Sequence, residues 1–285
     1  MIRFFDGGMG SMLNLAAGEL PEKLNISEPE RVFAVHKGYA DAGAEFITAN
    51  TFGANSLKYD NVDELVKAGV ALAKKAGKYV ALDIGPTGKL LKPMGDLEFE
   101  RAVELFAEVV RAGKDGSDVA IIETMSDMYE LKAAVIAVKE NSDLPIITSM
   151  IFDESGRLLT GGDVKSAVAM LEGLRVDAIG FNCGLGPKQM IPLVKELREC
   201  TSLPILVMPN AGLPESVDGK TVYNVSPDEF AQDMREIAKL GVSILGGCCG
   251  TTPKHIAKMI ELCKDIPDNV PDKKNDTVVC SYSSA

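Results

Sequence analysis

Two adjacent cysteines, Cys248 and Cys249, follow a pair of glycines near the end of this chain, and Cys183 follows an earlier apolar segment. Adjacent cysteines rarely bond to each other, because the small ring strains the geometry of the disulfide. Three thiolates at one edge of a fold instead suit a soft metal, and zinc with three protein ligands keeps a fourth position for water or substrate. The three residues therefore predict a catalytic zinc site.

The remaining cysteines have a simpler interpretation. Cys200 and Cys263 fall in helical segments, where a thiol is usually a small buried apolar group, and Cys280 lies near the C-terminus. The sequence has no Cys-x-x-Cys pair of the kind found in zinc ribbons and iron–sulfur proteins. A structural metal cluster is therefore disfavoured, and zinc suits three soft thiolates best because no redox partner motif is visible.

Two acids, Asp6 and Glu123, end predicted apolar strands. Buried carboxylates need partners, and two interpretations stay open: a structural hydrogen-bond network, or a site for a cationic group such as a substrate ammonium. His36 and His255 lie in predicted helices away from the strand ends, so neither is a predicted catalyst. No serine–histidine or cysteine–histidine set is visible, which argues against hydrolysis through an acyl-enzyme.

The segment around the paired cysteines favours tight turns. Gly246 and Gly247 let the backbone turn where a side chain would collide. Thr252 and Pro253 are typical of an N-cap and a first helical position, so a helix begins behind the thiols and its positive end favours thiolate. The competing interpretation is a phosphate-binding loop, common after strands seven and eight of such barrels, although adjacent thiols have no purpose there.

Eight short apolar segments alternate with eight helical segments, and these elements must position the reactive side chains. The helical segments have apolar spacings of three and four residues, and the strands are continuous apolar runs, as in parallel strands covered on both faces. Eight such units in 285 residues predict a single closed (β/α)8 TIM barrel rather than an open doubly wound sheet. The predicted strands are Arg3–Asp6, Glu45–Ala49, Tyr79–Ile84, Val119–Glu123, Ile146–Met150, Ala178–Asn182, Ile205–Met208 and Ser243–Gly246. The predicted helices are Glu30–Ala42, Val62–Ala76, Glu98–Lys114, Met128–Asn141, Asp163–Glu172, Lys188–Glu199, Pro227–Leu240 and Pro253–Cys263.

Polar residues collect where the predicted strands end. In a barrel of this kind the active site lies at the C-terminal ends of the strands, whereas random placement would scatter acids and thiols over both ends. This convergence predicts one reaction site at one mouth of the barrel. The set is Asp6, Gly7, Gly8, Asn50, Thr51, Asp83, Glu123, Asn182, Cys183, Asn210, Cys248 and Cys249.

Composition narrows the class of protein. Hydrophobic residues make up 46% and charged residues 25% of the chain, as expected of a globular enzyme. The net charge of −11 argues against nucleic acid as a partner, because phosphate binding needs a basic face. No run of about 18 apolar residues suggests a membrane span, and the first residues lack the apolar core of a signal peptide. The expected location is therefore the cytoplasm, where thiols stay reduced.

The last residues differ in character from the rest. We predict that residues 1–267 form the barrel and that residues 268–285 form a polar linker or tail, because this stretch lacks helical periodicity. Residues 272–276 are typical of a solvated linker, and residues 277–282 could form a short strand or an extended tail.

The motifs together resemble the homocysteine S-methyltransferase family over residues 1–267. The double-cysteine motif with an upstream Asn-Cys is highly specific, and the segment from Pro209 to Pro214 further resembles the homocysteine-binding module of cobalamin-dependent methionine synthase. The motifs are Asp6-Gly7-Gly8-Met9-Gly10, Asn50-Thr51-Phe52, Asn182-Cys183-Gly184 and Gly246-Gly247-Cys248-Cys249-Gly250-Thr251.

The resemblance implies roles for these residues. Cys183, Cys248 and Cys249 would bind Zn²⁺, and homocysteine would take the fourth position as a zinc thiolate that is methylated to methionine. In the methionine synthase module, an asparagine that matches Asn210 can bind the metal when substrate is absent. Asp6 and Glu123 match positions that hold the substrate amino group. Backbone groups near Gly7 and Gly8, together with Thr51 and Asn182, are expected to contact the substrate or its surroundings.

The resemblance also implies an external methyl donor. A methyl-corrinoid, methylcobalamin, would be carried by another module or by a separate corrinoid protein, because the corrinoid-binding Asp-x-His-x-x-Gly signature is absent from the sequence. The folate and cobalamin modules of full-length methionine synthase do not fit in 285 residues, and the tail resembles the linker before the folate module, so a fragment or split enzyme is expected.

Three alternatives stay open. S-methylmethionine-dependent and betaine-dependent homocysteine methyltransferases share the cysteines. A phosphate-binding barrel isomerase or aldolase belongs to a different class of enzyme. A metal-binding or thiol-binding module without activity would hold zinc and a partner but would turn over no substrate.

Overall fold

The strands of the chain confirm the predicted barrel. The computed structural model describes residues 1–15, 18–217, 220–267, 270, 278–281 and 283–285. The barrel strands are β1 (Arg3–Phe4), β2 (Phe46–Thr48), β3 (Tyr79–Ile84), β4 (Val119–Met125), β5 (Ile146–Met150), β6 (Ala178–Asn182), β7 (Ile205–Met208) and β10 (Ile244–Leu245). A separate antiparallel hairpin consists of β8 (Glu215–Val217) and β9 (Lys220–Val222).

The sheet closes on itself. Its strand order is β1-β10-β7-β6-β5-β4-β3-β2, and every neighbouring pair is parallel. The two outer strands meet where Phe5 forms a parallel bridge with Phe46 and the Glu45 amide donates to the Phe4 carbonyl at 2.8 Å. All eight strands therefore direct their carboxyl ends to the same mouth.

Helices surround the sheet, and several begin at a side-chain cap. The side chains of Asp127, Asp163 and Ser226 accept hydrogen bonds from first-turn amides, which otherwise lack intrahelical partners. The helices are α1 (Met9–Leu13), α2 (Leu24–Ser27), α3 (Pro29–Asp41), α4 (Val62–Lys75), α5 (Phe99–Gly113), α6 (Met128–Asn141), α7 (Val164–Gly173), α8 (Pro187–Cys200), α9 (Pro227–Ala238) and α10 (Pro253–Cys263).

The core has two layers, as the alternation of side chains in a barrel requires. The larger layer lies between the strands and the helices and includes Val66, Leu105, Val135 and Ile256. The smaller layer fills the barrel interior with Phe5, Ala81, Ile121, Ile147, Leu206 and Met208, among others. The interior is thus a packed core rather than a channel.

The structure differs from the sequence-based prediction mainly in the loops. Strands β1 and β10 are shorter than predicted, and β4 extends to Met125 with a register shift after Ile122. Short elements absent from the prediction are α1, α2, a 3-10 turn at Pro21–Lys23, another at Lys114–Gly116, and the β8–β9 hairpin. All of these have too few residues to show a clear periodicity.

The end of the chain adds little regular structure. Helix α10 ends at Cys263, and residues 278–281 and 283–285 lie in no helix or strand. The linker predicted at residues 272–276 lies outside the described residues, as do residues 277 and 282 of the predicted strand or tail. Among the helices that the structure describes, none has the length and apolar character needed to cross a membrane.

Candidate functional site

A cavity of about 330 Å³ opens at the carboxyl ends of the strands. A larger groove of about 610 Å³ lies at the amino ends of β3 and β4, but its lining contains none of the predicted site residues. The first cavity is therefore the candidate site. Its lining includes Asp6, Gly7, Gly8, Met9, Asn50, Phe52, Asp83, Glu123, Thr124, Cys183, Met208, Cys248 and Cys249.

The three predicted metal ligands meet at one wall of this cavity. The Sγ atoms of Cys183 and Cys249 lie 3.9 Å apart, and those of Cys248 and Cys249 lie 4.0 Å apart. All three Sγ atoms lie within 4.8 Å of one another. Tetrahedral zinc with bonds of about 2.3 Å to sulfur would place two sulfurs about 3.8 Å apart. The donor set therefore fits a thiolate-bound metal in both chemistry and spacing.

Cys183 reaches this wall through an unusual backbone conformation. It follows β6 directly and has a φ of +57°, in the left-handed region, which costs a non-glycine residue about 1–2 kcal/mol. Its amide donates to the Met208 carbonyl of β7 at 3.1 Å, and its carbonyl accepts from the Leu185 amide at 2.7 Å. The tight turn bends the chain back at the strand end and places the thiol over the mouth.

The loop after β10 supplies the other two thiols. The Cys248 amide donates to the Pro209 carbonyl at 2.8 Å, and Thr251 Oγ1 donates to the Cys248 carbonyl at 2.6 Å. A Cβ atom at Gly247 would lie 2.6 Å from Thr251 Oγ1, so only glycine fits there. The predicted N-cap, Thr252, precedes α10.

The same loop has no amide left for a phosphate. The Gly246 and Gly247 amides donate to the carbonyls of Val207 and Asp6, and the Thr251 amide donates to the Cys248 carbonyl. The Cys249, Gly250 and Thr252 amides donate to side chains of Asn210, Ser11 and His255, respectively. Because a phosphate loop needs free backbone donors, this geometry disfavours the phosphate-binding interpretation.

The Sγ atom of Cys249 lies within hydrogen-bonding distance of the Sγ atoms of Cys183 and Cys248. The pKa of Cys249 is lowered, because the thiols of Cys183 and then Cys248 hydrogen-bond to its sulfur. The pKa of Cys248 is raised by its hydrogen bonds to Cys183 and Cys249 and by burial. All six cysteines are free.

Three carboxyl groups line the same cavity. Asp6 is buried, and its carboxylate accepts from the Thr48 amide at 2.9 Å and from Thr48 Oγ1 at 2.7 Å. Burial nevertheless raises the pKa of Asp6 to about 7. Burial, followed by the charge of Asp6, raises the pKa of Glu123 to about 8. No lysine, arginine or histidine is among the described residues that line this cavity, so the acids lack a cationic partner of their own.

Asp83 is the third acid, and the sequence pattern predicts no separate role for it. Its side chain is buried, and its Oδ1 atom has no hydrogen-bond partner in the described part of the chain. Burial, followed by the charges of Glu123 and Asp6, raises its pKa well above the usual range. A buried acceptor without a partner is costly, so this oxygen indicates a ligand that donates hydrogen bonds.

Asn182 organises the wall between the acids and the thiols. Its Nδ2 donates to Thr124 Oγ1 at 2.7 Å and to Glu123 Oε2 at 3.4 Å, and it lies 3.9 Å from Cys248 Sγ. Its Oδ1 accepts from the Thr124 amide at 2.9 Å and from Ser149 Oγ at 2.6 Å. The register shift in β4 falls beside Glu123 and Thr124, as bulges near active sites often re-aim side chains.

Some of the other predicted contact residues line the cavity and others do not. Asn210 is buried, and its Oδ1 accepts from the Cys249 amide at 3.1 Å, next to the thiols. Gly7 and Gly8 line the cavity, and the Gly8 amide donates to Thr251 Oγ1 at 3.1 Å. Thr51 is buried outside the lining and donates to the Asp83 carbonyl at 2.8 Å, so the structure places it behind the acids.

The two histidines lie outside the cavity lining, as predicted. His36 is fully buried in α3, and burial lowers its pKa to about 4. His255 bridges two segments: its Nδ1 accepts from the Thr252 amide at 3.2 Å, and its Nε2 lies 3.0 Å from the Val225 carbonyl.

Tyr223 is a site residue that sequence reasoning missed. It follows the β8–β9 hairpin, and its ring packs against the Gly250 backbone, where a Cβ atom would lie 2.3 Å from Tyr223 Cγ. The hairpin contains mostly polar residues and no alternating pattern, so nothing in the sequence marked this segment as part of the site.

Comparisons with known proteins agree with this geometry. A family model described as homocysteine S-methyltransferase matches residues 3–263. Methionine synthase of Mycobacterium leprae (strain TN) is 32% identical over 294 aligned positions, which cover 91% of this chain and 24% of that protein. Methionine synthase of Mycobacterium tuberculosis (strain ATCC 25618 / H37Rv) is 32% identical over 285 positions, which cover 89% of this chain and 24% of that protein. The chain thus spans about a quarter of the length of these relatives.

Solved structures show the same fold. The homocysteine methyltransferase MmuM from Escherichia coli, in its metallated form, has a TM-score of 0.78 at 23% identity, covering 90% of this chain and 95% of that chain. Its apo form has a TM-score of 0.73 at 25% identity, covering 92% of this chain and 95% of that chain. The likeness extends over nearly the whole barrel.

Proposed function

We propose that this chain, which belongs to the homocysteine S-methyltransferase family, methylates homocysteine to methionine at the cavity above the barrel. The observation that carries the proposal is the meeting of three thiols and three acids in one cavity, whose described lining includes no cationic side chain. An amino acid with a thiol side chain offers one group to each half of this site.

We propose zinc as the metal and Cys183, Cys248 and Cys249 as its ligands. The spacing of the sulfurs supports this assignment, and zinc bound by three thiolates would supply an open position where a substrate thiol loses its proton. Asn210 lies close enough to the thiols to support its proposed place beside the metal before substrate enters.

The acids would orient the substrate. Asp6, Asp83 and Glu123 present carboxyl oxygens to the cavity without a cationic partner among the described lining residues, so a substrate ammonium can satisfy them. Asn182 holds Glu123 on one side and approaches Cys248 on the other. Fixing the amino group in this way points the substrate sulfur towards the three thiols. The substrate then loses its orientational freedom on binding, so the transfer step has a smaller entropic barrier.

We propose a methyl-corrinoid on another module or protein as the methyl donor. The 32% identity to two methionine synthases supports this donor, and the aligned segment is only 24% of each of those proteins. S-methylmethionine or betaine is the alternative donor. The backbone amides of the loop after β10 already donate hydrogen bonds within the chain. This argues against a phosphate-binding isomerase or aldolase.

The test is methionine formation by the purified chain. Zinc-loaded protein is mixed with homocysteine and, separately, with methylcobalamin, S-methylmethionine or betaine. We expect methionine with methylcobalamin, loss of activity after chelation, and recovery with added zinc. Cys248→Ser should abolish both zinc binding and activity, whereas Cys280→Ser, at a cysteine far from the site in sequence, should change neither.

Other outcomes distinguish the alternatives. Methionine formed only with S-methylmethionine or betaine would replace the donor and keep the reaction. Tight binding of phosphate esters with indifference to chelators would favour the isomerase or aldolase. Zinc binding without turnover of homocysteine by any donor would favour a metal-binding module without activity.

A further inference from the structure

Strand β4 contains one extra residue where it reaches the cavity. Ile122 pairs with Thr148 of β5, and Met125 pairs with Met150, so three steps along β4 lie opposite two steps along β5. Ile122 and Met125 both pack in the larger core layer, between the strands and the helices, although regular alternation would place residues three apart on opposite faces. The strand therefore has a β-bulge between these two residues.

The extra residue places two neighbouring side chains in the cavity. Glu123 and Thr124 both line it, whereas consecutive residues of a regular strand point to opposite faces. Thr124 has a φ of +64°, and among the non-glycine residues with a left-handed backbone in the described part of the chain it alone is β-branched. Such a residue is strained in this conformation, and strain of this kind persists only where the surrounding structure enforces it.

Asn182 of β6 enforces the conformation through two hydrogen bonds to Thr124. Its Oδ1 accepts from the Thr124 amide at 2.9 Å, and its Nδ2 donates to Thr124 Oγ1 at 2.7 Å. The same Nδ2 also donates to Glu123 Oε2 at 3.4 Å. One buried side-chain amide thus contacts both residues of the bulge that face the cavity.

Ser149 of β5 fixes the orientation of that side-chain amide. Its Oγ donates to Asn182 Oδ1 at 2.6 Å, and both side chains are fully buried. A flipped Asn182 would direct its NH2 group at the Thr124 amide, which can only donate, and would lose the bond from Ser149. Ser149 is not among the described residues that line the cavity, so it acts on the site only through Asn182.

We propose that Ser149 is a positioning residue of the substrate site: through Asn182 it holds the strained turn at Thr124 and keeps the Glu123 carboxyl directed at the substrate ammonium. The inference rests on the proposed function, because it takes the amino group of homocysteine to bind at the acids. Without the Ser149 hydroxyl, Asn182 is free to turn and the Thr124 backbone is free to relax. Glu123 then loses its partner and its fixed direction.

The experiment compares two thiols on the zinc-loaded full chain with Ser149→Ala, which removes only the hydroxyl. Calorimetry gives the dissociation constants of homocysteine and of 4-mercaptobutyrate, which has the same thiol and carboxylate but no amino group. We expect the preference for homocysteine to fall about 3–10-fold, the value of one hydrogen bond, because only homocysteine uses Glu123. The affinity for 4-mercaptobutyrate should stay unchanged.

Thr148→Val is the matched control. Thr148 precedes Ser149 in β5, is equally buried, and donates from its Oγ1 to the Ala178 carbonyl of β6 at 3.2 Å. The control therefore also loses one buried hydrogen bond to β6, but it leaves Asn182 and its partners in place. Its preference should match that of the wild type, and melting temperatures show that both variants are folded.

A second pair of variants decides the question if Ser149→Ala does not fold. Thr124→Val keeps the β-branched shape and removes the hydroxyl that accepts from Asn182, whereas Thr124→Ser keeps that hydroxyl. The preference for homocysteine should fall in Thr124→Val and stay near the wild-type value in Thr124→Ser.

The outcomes separate this inference from the proposed function. Equal preferences in Ser149→Ala and Thr148→Val, or in the two Thr124 variants where those decide, would overturn the role of Ser149 and leave the proposed function intact. A wild-type chain that binds no zinc, or that binds homocysteine no more tightly than 4-mercaptobutyrate, would overturn the proposed function together with this inference.

Discussion

The cavity has three carboxyl groups, and one ammonium group carries only a single positive charge. A bound ammonium would therefore neutralise only part of the negative charge that the three acids can carry. Asp83 Oδ1 is buried without a partner in the described residues, and the pKa values of Asp6 and Glu123 are raised mainly by burial. Part of the acid set is therefore protonated near neutral pH before substrate binds. A cation entering the cavity would displace those protons.

The acids should decide which thiols the site accepts. Glu123→Gln keeps the shape and removes the charge, so the preference for homocysteine over 4-mercaptobutyrate, which lacks the amino group, should fall by about 10–100-fold, the value of a hydrogen bond to a charged group. The measurement is kcat/KM for both thiols. Glu104→Gln, on the outer face of α5, is the control, and an unchanged preference in Glu123→Gln would place the ammonium elsewhere.

Glu123 should also make stability depend on pH. Its pKa rises from 4.5 to about 8 on folding, so the folded chain binds the proton more tightly than the unfolded chain. The contribution is complete below about pH 4.5 and is lost as pH rises towards 8, at about 1.4 kcal/mol per pH unit. The free energy of unfolding of wild type minus that of Glu123→Gln should therefore fall between pH 5 and 8, as urea titrations can show. A flat difference would contradict this.

At this scale the sequence predicted the thiols and missed Asp83 as a distinct contact. Three cysteines at strand ends have few competing explanations, whereas an aspartate at a strand end often has a structural partner. Only the folded structure shows that one oxygen of Asp83 has no such partner among the described residues.

At the scale of elements, the loops after β7 and β10 act as one unit around the thiols. The hairpin, the segment at Val225 and the start of α10 are joined through His255 and Ala211. Much of the framework was predictable, because β3, β5, β6 and β7 are apolar runs with clear ends. The hairpin was not, because strands of three residues carry almost no pattern, and the strand preference of a residue depends strongly on its surroundings.

The histidine that joins these elements should matter more than the other histidine. His255→Leu removes the hydrogen bonds of the ring to Thr252 and to the Val225 carbonyl and should lower the free energy of unfolding by about 1–3 kcal/mol. His36→Leu is the matched control: His36 is buried, and both ring nitrogens lack partners in the described part of the chain, so no hydrogen bond is lost. Urea denaturation measures both variants, and equal destabilisation would mean that the His255 contacts are not what holds the loop.

At the scale of the whole molecule, the residues that pack the barrel core and the residues that form the candidate site lie in different parts of the fold. The interior layer and the seam at Phe5 and Phe46 fill the lower part, and the acids and thiols lie above it at one mouth. The eight-unit pattern was sufficient to predict this arrangement, because closure of eight parallel strands leaves few alternatives.

The proposed boundary after residue 267 can be tested on the same scale. Helix α10 ends at Cys263 and packs against α9 and α3, so the barrel is complete before the tail. A chain ending at residue 267 should keep the melting temperature and the zinc affinity of the full chain. Calorimetry and chelator competition test this, and a clear loss of stability would show that the tail belongs to the folded unit.

The left-handed backbone conformation of Cys183 opposes stability to metal binding at this residue. Glycine at this position would relieve the conformational cost of about 1–2 kcal/mol while removing a sulfur from the trio. A library randomised at residue 183 and sorted only for heat resistance should drift towards glycine, and the same library sorted for zinc retention should keep cysteine. Selection for stability and selection for metal binding therefore favour different amino acids at residue 183. The amino acid found there in a related protein would indicate which selection has been stronger.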